Sequence, residues 1–266
     1  MEKTAQLTSL LASLAKDGLA VAFSGGVDSS LLLSLACRTG FPVTAILLRS
    51  QLSPADDEPN ARRVAAECGA ALTVLDVDVT GCPELMRNDP RRCYFCKQQM
   101  FGALCRFCDE RRIPHRIDGT NLDDLAAYRP GLDALRELGI RSPLRECGFS
   151  KQEVRALAAE VGLSVASRPP GPCMATRLPY GTPLDFAVLR RLEQGETALR
   201  ALGFPVCRLR LHGQVLRVEI PPERQFDLLR QRAAVLGALR PLGFPYLTLD
   251  LEGFRSGSMD LEVSHG

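Results

Sequence analysis

Three groups of residues have the types and spacing to do chemistry. The first is Ser24-Gly25-Gly26-Val27-Asp28-Ser29-Ser30. Two adjacent glycines turn the backbone without Cβ clashes and aim N–H groups inward, and a helix starting at once adds unpaired N–H groups and a positive dipole end. That is an anion cradle. Ser24, Ser29 and Ser30 add hydroxyl donors, and Asp28 could cap the helix or help hold a phosphate-bound magnesium ion. A tight turn with an N-cap is the plain alternative, although the whole string is much less common than a glycine pair. The second group is Cys173 with Arg168 and Arg177, inside the irregular stretch Ser167 to Gly181 that holds four prolines and two glycines. No helix or strand packing accounts for a thiol there, and the two arginines could stabilise its thiolate, against the alternative of a chance loop cysteine. The third is the pair Arg208 and Arg210 in the run Val206 to Leu211. Strand period sets Arg208, Arg210 and His212 on one face and Cys207, Leu209 and Leu211 on the other, so two guanidiniums about 7 Å apart could clamp a phosphate. Solvated strand charges are the alternative.

The glycine string is not a Walker loop, since GxxxxGK and its lysine are missing. It resembles the PP-loop of the ATP pyrophosphatases, and that resemblance implies ATP cleaved between the α and β phosphates to give AMP and pyrophosphate. The elements needed to position the loop are legible around it. Leu19 to Phe23 reads as a buried strand and Leu31 to Ala36 as the helix beyond the loop. Pro42 to Leu48 is a second strand, Glu58 to Cys68 a helix with Val64, Ala65 and Cys68 inward, Leu72 to Val79 a third strand, and Ile113 to Asp118 a fourth. Strands alternating with helices imply an α/β fold with a parallel sheet, whose ligands bind beyond the carboxyl ends of the strands. Gly119-Thr120-Asn121 falls on that edge, where Asn121, Asp123 and Asp124 could contact ribose, pyrophosphate or magnesium, or form an Asx turn. Ser50, after the second strand, would lie near the adenine side. Tyr128-Arg129-Pro130-Gly131 is a loop with a cation, and Ser150-Lys151-Gln152-Glu153 is a capping box opening a helix to Val161.

Beyond Gly181 the pattern changes. Leu184 to Leu202 is a helix closed by Gly203, Val206 to Leu211 and Val215 to Ile220 form a hairpin across His212-Gly213-Gln214, Glu223 to Leu239 is a helix, and Pro245 to Leu251 a last strand. The expected division is therefore a parallel-sheet domain over residues 1–181 and a smaller α+β domain over residues 182–266.

Composition narrows the class. The chain has 266 residues, 45% hydrophobic and 24% charged, with a net charge of +2, so no basic stripe points to nucleic acid and no apolar run is long enough to cross a bilayer. Leu7, Leu10, Leu11 and Leu14 recur at helical spacing and read as an amphipathic surface helix rather than a signal sequence. Ten cysteines scattered through such a chain read as reduced thiols of a cytoplasmic protein, with Cys37 and Cys68 in core packing. Cys93, Cys96, Cys105 and Cys108 suggest zinc, but the short spacer fits a helix from about Lys97, with Met100, Phe101, Leu104, Cys105 and Cys108 on one stripe. Cys96 and Cys105 would then stand ~13 Å apart along its axis, too far to share a metal.

With these residues assembled, the chain resembles the LarE family, the ATP-dependent sacrificial sulfur transferases of the nickel-pincer cofactor pathway. The resemblance runs across nearly the whole chain. It rests on Ser24 to Ser30, Arg92-Cys93-Tyr94-Phe95-Cys96-Lys97, Asp118 to Asp124, Tyr128 to Gly131, Ser142-Pro143-Leu144, Cys173 to Gly181, and Arg208-Leu209-Arg210. It implies ATP and Mg2+ at Ser24, Gly25, Gly26, Asp28, Ser29, Ser30, Ser50, Gly119, Asn121 and Asp124, with Asp28 at the metal. It implies pyridinium-3,5-biscarboxylic acid mononucleotide as substrate, held by Arg177, Glu196, Arg208 and Arg210, with Cys173 attacking an acyl adenylate, giving up its sulfur and becoming dehydroalanine. A homo-oligomer is expected, with neither nucleic acid nor membrane as partner. Family members that carry an iron-sulfur cluster use three cysteines, whereas here no cysteine lies near Cys173 between Cys147 and Cys207. Cys105 and Cys108 are additional to the family pattern, and Thr176 stands where serine is expected. The rival readings are a tRNA thiolase using Cys93 and Cys96, an ammonia-dependent amide ligase, and a nucleotide-binding regulator without catalysis.

Overall fold

The computed structural model describes residues 2–125, 130–168 and 171–255. Tyr128, Arg129, Pro169 and Pro170, singled out in the sequence, lie outside the described residues. In chain order the elements are α1 (Glu2–Lys16), β1 (Leu19–Ala22), α2 (Val27–Cys37), β2 (Val43–Arg49), α3 (Asp57–Glu67), β3 (Leu72–Asp76), α4 (Pro83–Met86), α5 (Arg92–Glu110), β4 (His115–Ile117), α6 (Gly131–Glu137), α7 (Pro143–Glu146), α8 (Lys151–Glu160), α9 (Phe186–Ala201), β5 (Arg208–His212), β6 (Val215–Glu219), α10 (Gln225–Arg230), α11 (Arg232–Leu239) and β7 (Tyr246–Leu249). Contacts group them into two compact units, one of residues 1–82 and 91–171, the other of residues 83–90 and 172–266.

The first unit is a parallel sheet in the order β3-β2-β1-β4. Strand period sends Leu19, Val21, Ala45 and Leu47 to one face, where they pack with Leu7, Leu11 and Leu14 of α1 and Leu31, Leu32 and Leu35 of α2. Ala20 and Ile46 face the other way, onto Phe101, Leu104 and Cys108 of α5 and Leu135 of α6. A sheet covered on both faces explains why β1 reads as a continuous apolar run. Each fully buried leucine contributes roughly 1.5–3 kcal/mol. The expected fourth strand shortens to His115–Ile117, because Ile113 N–H is taken by Cys108 C=O at 2.8 Å as α5 closes. α5 starts at Arg92, earlier than expected, so all four clustered cysteines lie on one continuous helix. Ser150 caps α8 with the full reciprocal box expected. No helix among the described residues is long and apolar enough to cross a membrane.

The second unit is a three-stranded sheet, β5-β6-β7, in which β5 and β6 are an antiparallel hairpin and β7 joins β6 in parallel. Gly195 lets α9 close on this sheet, since a Cβ there would meet Leu209 Cδ1 at 2.4 Å and Leu242 Cδ1 at 2.6 Å. Residues 172–181 group with this unit. Asn88 Nδ2 donates to Pro179 C=O at 2.8 Å, and Gly181 N–H to Asn88 C=O at 3.0 Å. Two expectations need correction. The stretch from Ser167 to Gly181 is not wholly irregular, since Met174–Arg177 form a 3-10 turn with Met174, Ala175 and Arg177 buried. The helix expected from Glu223 to Leu239 is instead a 3-10 turn, Pro222–Arg224, followed by α10 and α11, which part at Gln231 (φ −90, ψ 17). No glycine or proline marks that break, so periodicity could not show it.

Candidate active site

The glycine loop lies between β1 and α2 as its sequence requires. Gly25 takes φ 70, in the left-handed region, and Gly26 is the N-cap of α2. Ser29 Oγ accepts from Ser24 N–H at 3.2 Å and lies 3.2 Å from Ser24 Oγ, which accepts from Gly26 N–H at 3.3 Å. The two serines thus knit the loop and leave the first-turn amides of α2 as its anion donors. Ser30 is buried, and its hydroxyl has no partner. α3 holds the loop from behind. Asn60 Nδ2 donates to Gly25 C=O at 2.9 Å, and a Cβ on Gly25 would stand 2.5 Å from that nitrogen.

The end of β4 closes on the same loop. A Cβ on Gly119 would lie 2.9 Å from the backbone nitrogen of Ser29 and 3.1 Å from Asp28 Cβ, so only glycine admits this approach. Asn121 Nδ2 donates to Asp28 Oδ1 at 3.0 Å, while Asp124 Oδ2 accepts from Asn121 N–H at 3.0 Å and Asn121 Oδ1 from Asp123 N–H at 3.0 Å. The Asx turn given as the alternative for this segment is therefore present, and the same Asn121 side chain reaches Asp28. Lys151, at the start of α8, pairs through Nζ with Asp28 Oδ2. Beneath them the buried Asp118 accepts from Ser142 Oγ at 2.6 Å and Thr120 Oγ1 at 2.5 Å, with Lys97 Nζ at 3.9 Å. Ser50 Oγ accepts from Leu52 N–H at 3.2 Å, fixing the turn after β2. The cradle fits the phosphates of a nucleotide. Asp28 fits magnesium, an ion that takes one or two carboxylates and draws its other ligands from phosphate and water.

In the second unit Cys173 is exposed, and its Sγ accepts from Ala175 N–H at 3.4 Å at the start of the 3-10 turn. The Arg177 guanidinium is buried and several times hydrogen-bonded. Its Nε and Nη2 form a two-armed pair with Glu196 at 2.8 and 2.9 Å, and Nη1 donates to the carbonyls of Pro172 at 3.0 Å and Cys173 at 3.3 Å. Glu196 also accepts from Leu209 N–H at 3.0 Å. Arg168 belongs to the first unit, where its carbonyl accepts from Arg155 at 3.0 Å. Arg208 and Arg210 do share a strand face, but it is not a solvated one. Arg210 is 5% exposed, bonded through Nε to Glu219 at 2.7 Å and through Nη1 to Thr176 C=O at 2.6 Å. Arg208 donates to Cys207 C=O at 2.8 Å and stands over Phe254. Burial pushes both guanidinium pKa values down; the nearby Arg177 charge adds to this at Arg208, and Glu219 opposes it at Arg210. Two cations held at such a cost would be relieved by an added anion.

The asparagine synthase family model matches residues 13–103, the segment that carries the glycine loop. A pyridinium-3,5-bisthiocarboxylic acid mononucleotide synthase of Lactiplantibacillus plantarum is 36% identical over 260 residues, covering 97% of this chain and 94% of that protein. The chain belongs to the LarE family. Two uncharacterised proteins share the LarE-family length: one of Synechocystis sp. at 35% identity, covering 90% of this chain and 91% of its own, and one of Methanocaldococcus jannaschii at 27%, covering 89% and 90%. The protein is thus an ATP-dependent sulfurtransferase of the LarE family with a PP-loop fold.

Within this LarE-family chain the fold gathers Ser24, Gly25, Gly26, Asp28, Ser29, Gly119, Asn121 and Asp124 at one sheet edge. It gathers Cys173, Arg177, Glu196 and Arg210 in the second unit. Sequence reading missed Asn60, Lys97, Asp118, Lys151 and Glu219. The capping box flagged Lys151 only as a helix start, and Lys97 and Asp118 stood in stretches that carry the family resemblance without a role of their own. No local signal marked Asn60 or Glu219.

Proposed function

We propose that this protein converts a carboxylate of pyridinium-3,5-biscarboxylic acid mononucleotide into a thiocarboxylate, using ATP and the sulfur of Cys173. The observation carrying this reading is the near full-length likeness to a synthase named for a bisthiocarboxylic acid mononucleotide. A carboxylate oxygen attacks the α-phosphorus of ATP, pyrophosphate departs, and the acyl adenylate forms with AMP as its leaving group. Ser24, Gly25, Gly26, Ser29 and Ser30 line the phosphate cradle, Ser50, Gly119, Asn121 and Asp124 complete the nucleotide side, and Asp28 would hold Mg2+. Bound magnesium would neutralise phosphate charge. Cys173 Sγ then attacks the acyl carbon as a thiolate and AMP leaves, giving a thioester. Loss of the Cys173 Cα proton places its electron pair in a Cα=Cβ bond as Cβ–S breaks, leaving the thiocarboxylate on the product and dehydroalanine in the chain. Arg208 and Arg210 receive the mononucleotide phosphate, with Arg177 and Glu196 beside them. This assigns activation to the parallel-sheet unit, and substrate-phosphate binding and assembly to the unit of the three-stranded sheet.

Ten free thiols favour a cytoplasmic setting, the exposed Phe226, Leu229, Tyr246 and Leu251 favour a homo-oligomer, and the net charge of +2 favours a small-molecule substrate over nucleic acid. The test is intact mass spectrometry after incubation with ATP, magnesium and the biscarboxylate mononucleotide. The expected result is loss of one hydrogen sulfide equivalent at Cys173, absent in Cys173→Ala, which keeps ATP-dependent pyrophosphate release. Thiocarboxylate formation with an unchanged protein mass would overturn the sacrificial mechanism.

A further inference from the structure

Two guanidiniums brace carbonyl groups of the loop that carries Cys173. Pro172 and Cys173 C=O accept from Arg177 Nη1, and Thr176 C=O accepts from Arg210 Nη1 at 2.6 Å. Behind each guanidinium stands a buried carboxylate, Glu196 behind Arg177 and Glu219 behind Arg210. Glu219 is fully buried, and its Oε1 accepts from both Arg210 Nε and Arg217 Nη2 at 2.7 Å. The hairpin register sets Arg210 directly opposite Arg217 and Arg208 directly opposite Glu219. Two cations facing each other across a strand pair repel, and the single carboxylate oxygen between them removes that repulsion while fixing the direction of Arg210. The other oxygen, Oε2, is buried without a hydrogen-bond partner. A buried carboxylate left half-satisfied is a poor way to stabilise a sheet, where apolar residues would do as well or better.

We infer that Glu219 is a positioning residue for sulfur transfer, holding Arg210 so that its second arm fixes the Thr176 carbonyl and with it the turn that presents Cys173. This rests on the sulfur-donor reading of Cys173. A relay of this kind acts on geometry. Misplacing a nucleophile by about 1 Å can cost as much as a hundredfold in rate, without a matching change in ground-state binding.

The experiment uses the full chain and the Glu219→Gln variant, which keeps the side-chain shape and removes the charge. Single-turnover loss of sulfur from Cys173 is followed by intact mass at saturating ATP, magnesium and biscarboxylate mononucleotide. The expected result is a rate constant at least about tenfold lower at saturating mononucleotide, with the rate of pyrophosphate release within about twofold. Amide hydrogen exchange over residues 173–178 should rise by about the same factor as the rate falls. Arg210→Lys, which loses the second arm, should slow sulfur loss to a similar extent, and the double variant should be no slower than the slower single one. An unchanged rate constant in Glu219→Gln, a raised half-saturating concentration alone, or additive losses in the double variant would overturn the inference. If the unsubstituted protein forms product without losing sulfur from Cys173, the donor reading itself fails, an outcome separate from these.

Discussion

At the scale of single residues, the free thiols separate by environment. Burial raises the Cys207 pKa to about 11, with the Glu196 charge adding to it, and Cys68 is likewise raised to about 11 by burial first and the neighbouring Cys37 second. Cys93 and Cys173 are exposed. At pH 8 a thiol shifted from 9 to 11 holds roughly a hundredfold less thiolate than an ordinary one. Iodoacetamide should therefore label the exposed Cys93 and Cys173 much faster than the buried Cys207, as read by peptide mass mapping. Comparable labelling of Cys207 would show that the α9–β5 contact opens readily. The same scale shows how far residue types could be read. Cys173 was visible because a thiol in a proline-rich stretch has no packing reason to be there. Arg210 was visible as a cation on a strand, but its partner Glu219 was one acidic residue among 31 Asp and Glu, with nothing nearby in sequence to single it out.

Among the elements, the turn from β4 decides whether the cradle forms. Gly119 abuts the backbone of Ser29, which cannot swing aside as a side chain can. Gly119→Ala should destabilise the protein by about 1–3 kcal/mol through overpacking and reduce ATP-dependent pyrophosphate release. Gly102 lies inside α5, where an added Cβ would come no closer than 3.6 Å to the Arg106 guanidinium. Gly102→Ala should therefore stabilise by up to ~1 kcal/mol, through helix propensity alone. Urea titrations at unchanged m-value measure both, and equal effects of the two substitutions would contradict the close approach at Gly119. The strand-loop-helix order, the capping box of α8 and the hairpin were all legible, because each is written in neighbouring residues. The break between α10 and α11 was not, since its cause lies in no breaker residue.

For the whole molecule, the raised thiols give a pH dependence with a definite sign. Cys68 and Cys207 ionise near 9 in the unfolded chain and near 11 when folded. Above pH 9 the unfolded state binds fewer protons than the folded one, so stability falls as pH rises through the window from about 9 to 11. Chemical denaturation at pH 8 and pH 10.5 should show this loss, reduced in Cys207→Ala relative to its own pH 8 value; a loss unchanged by that substitution would assign it to other groups. Sequence alone determined the α/β class and pointed to a glycine-rich turn at residues 24–30, a thiol in a proline-rich stretch and two cations on one strand face, because turn chemistry and the periods of strand and helix are local properties. Only the tertiary structure decided which polar groups meet. Lys151 reaches Asp28 across 123 positions, Asn60 holds the Gly25 carbonyl across 35, and Arg210 binds the Thr176 carbonyl across 34. Such contacts follow from how sheets and helices pack, which leaves no short-range mark, and they turn a list of capable residues into a cradle on one unit and a braced thiol on the other.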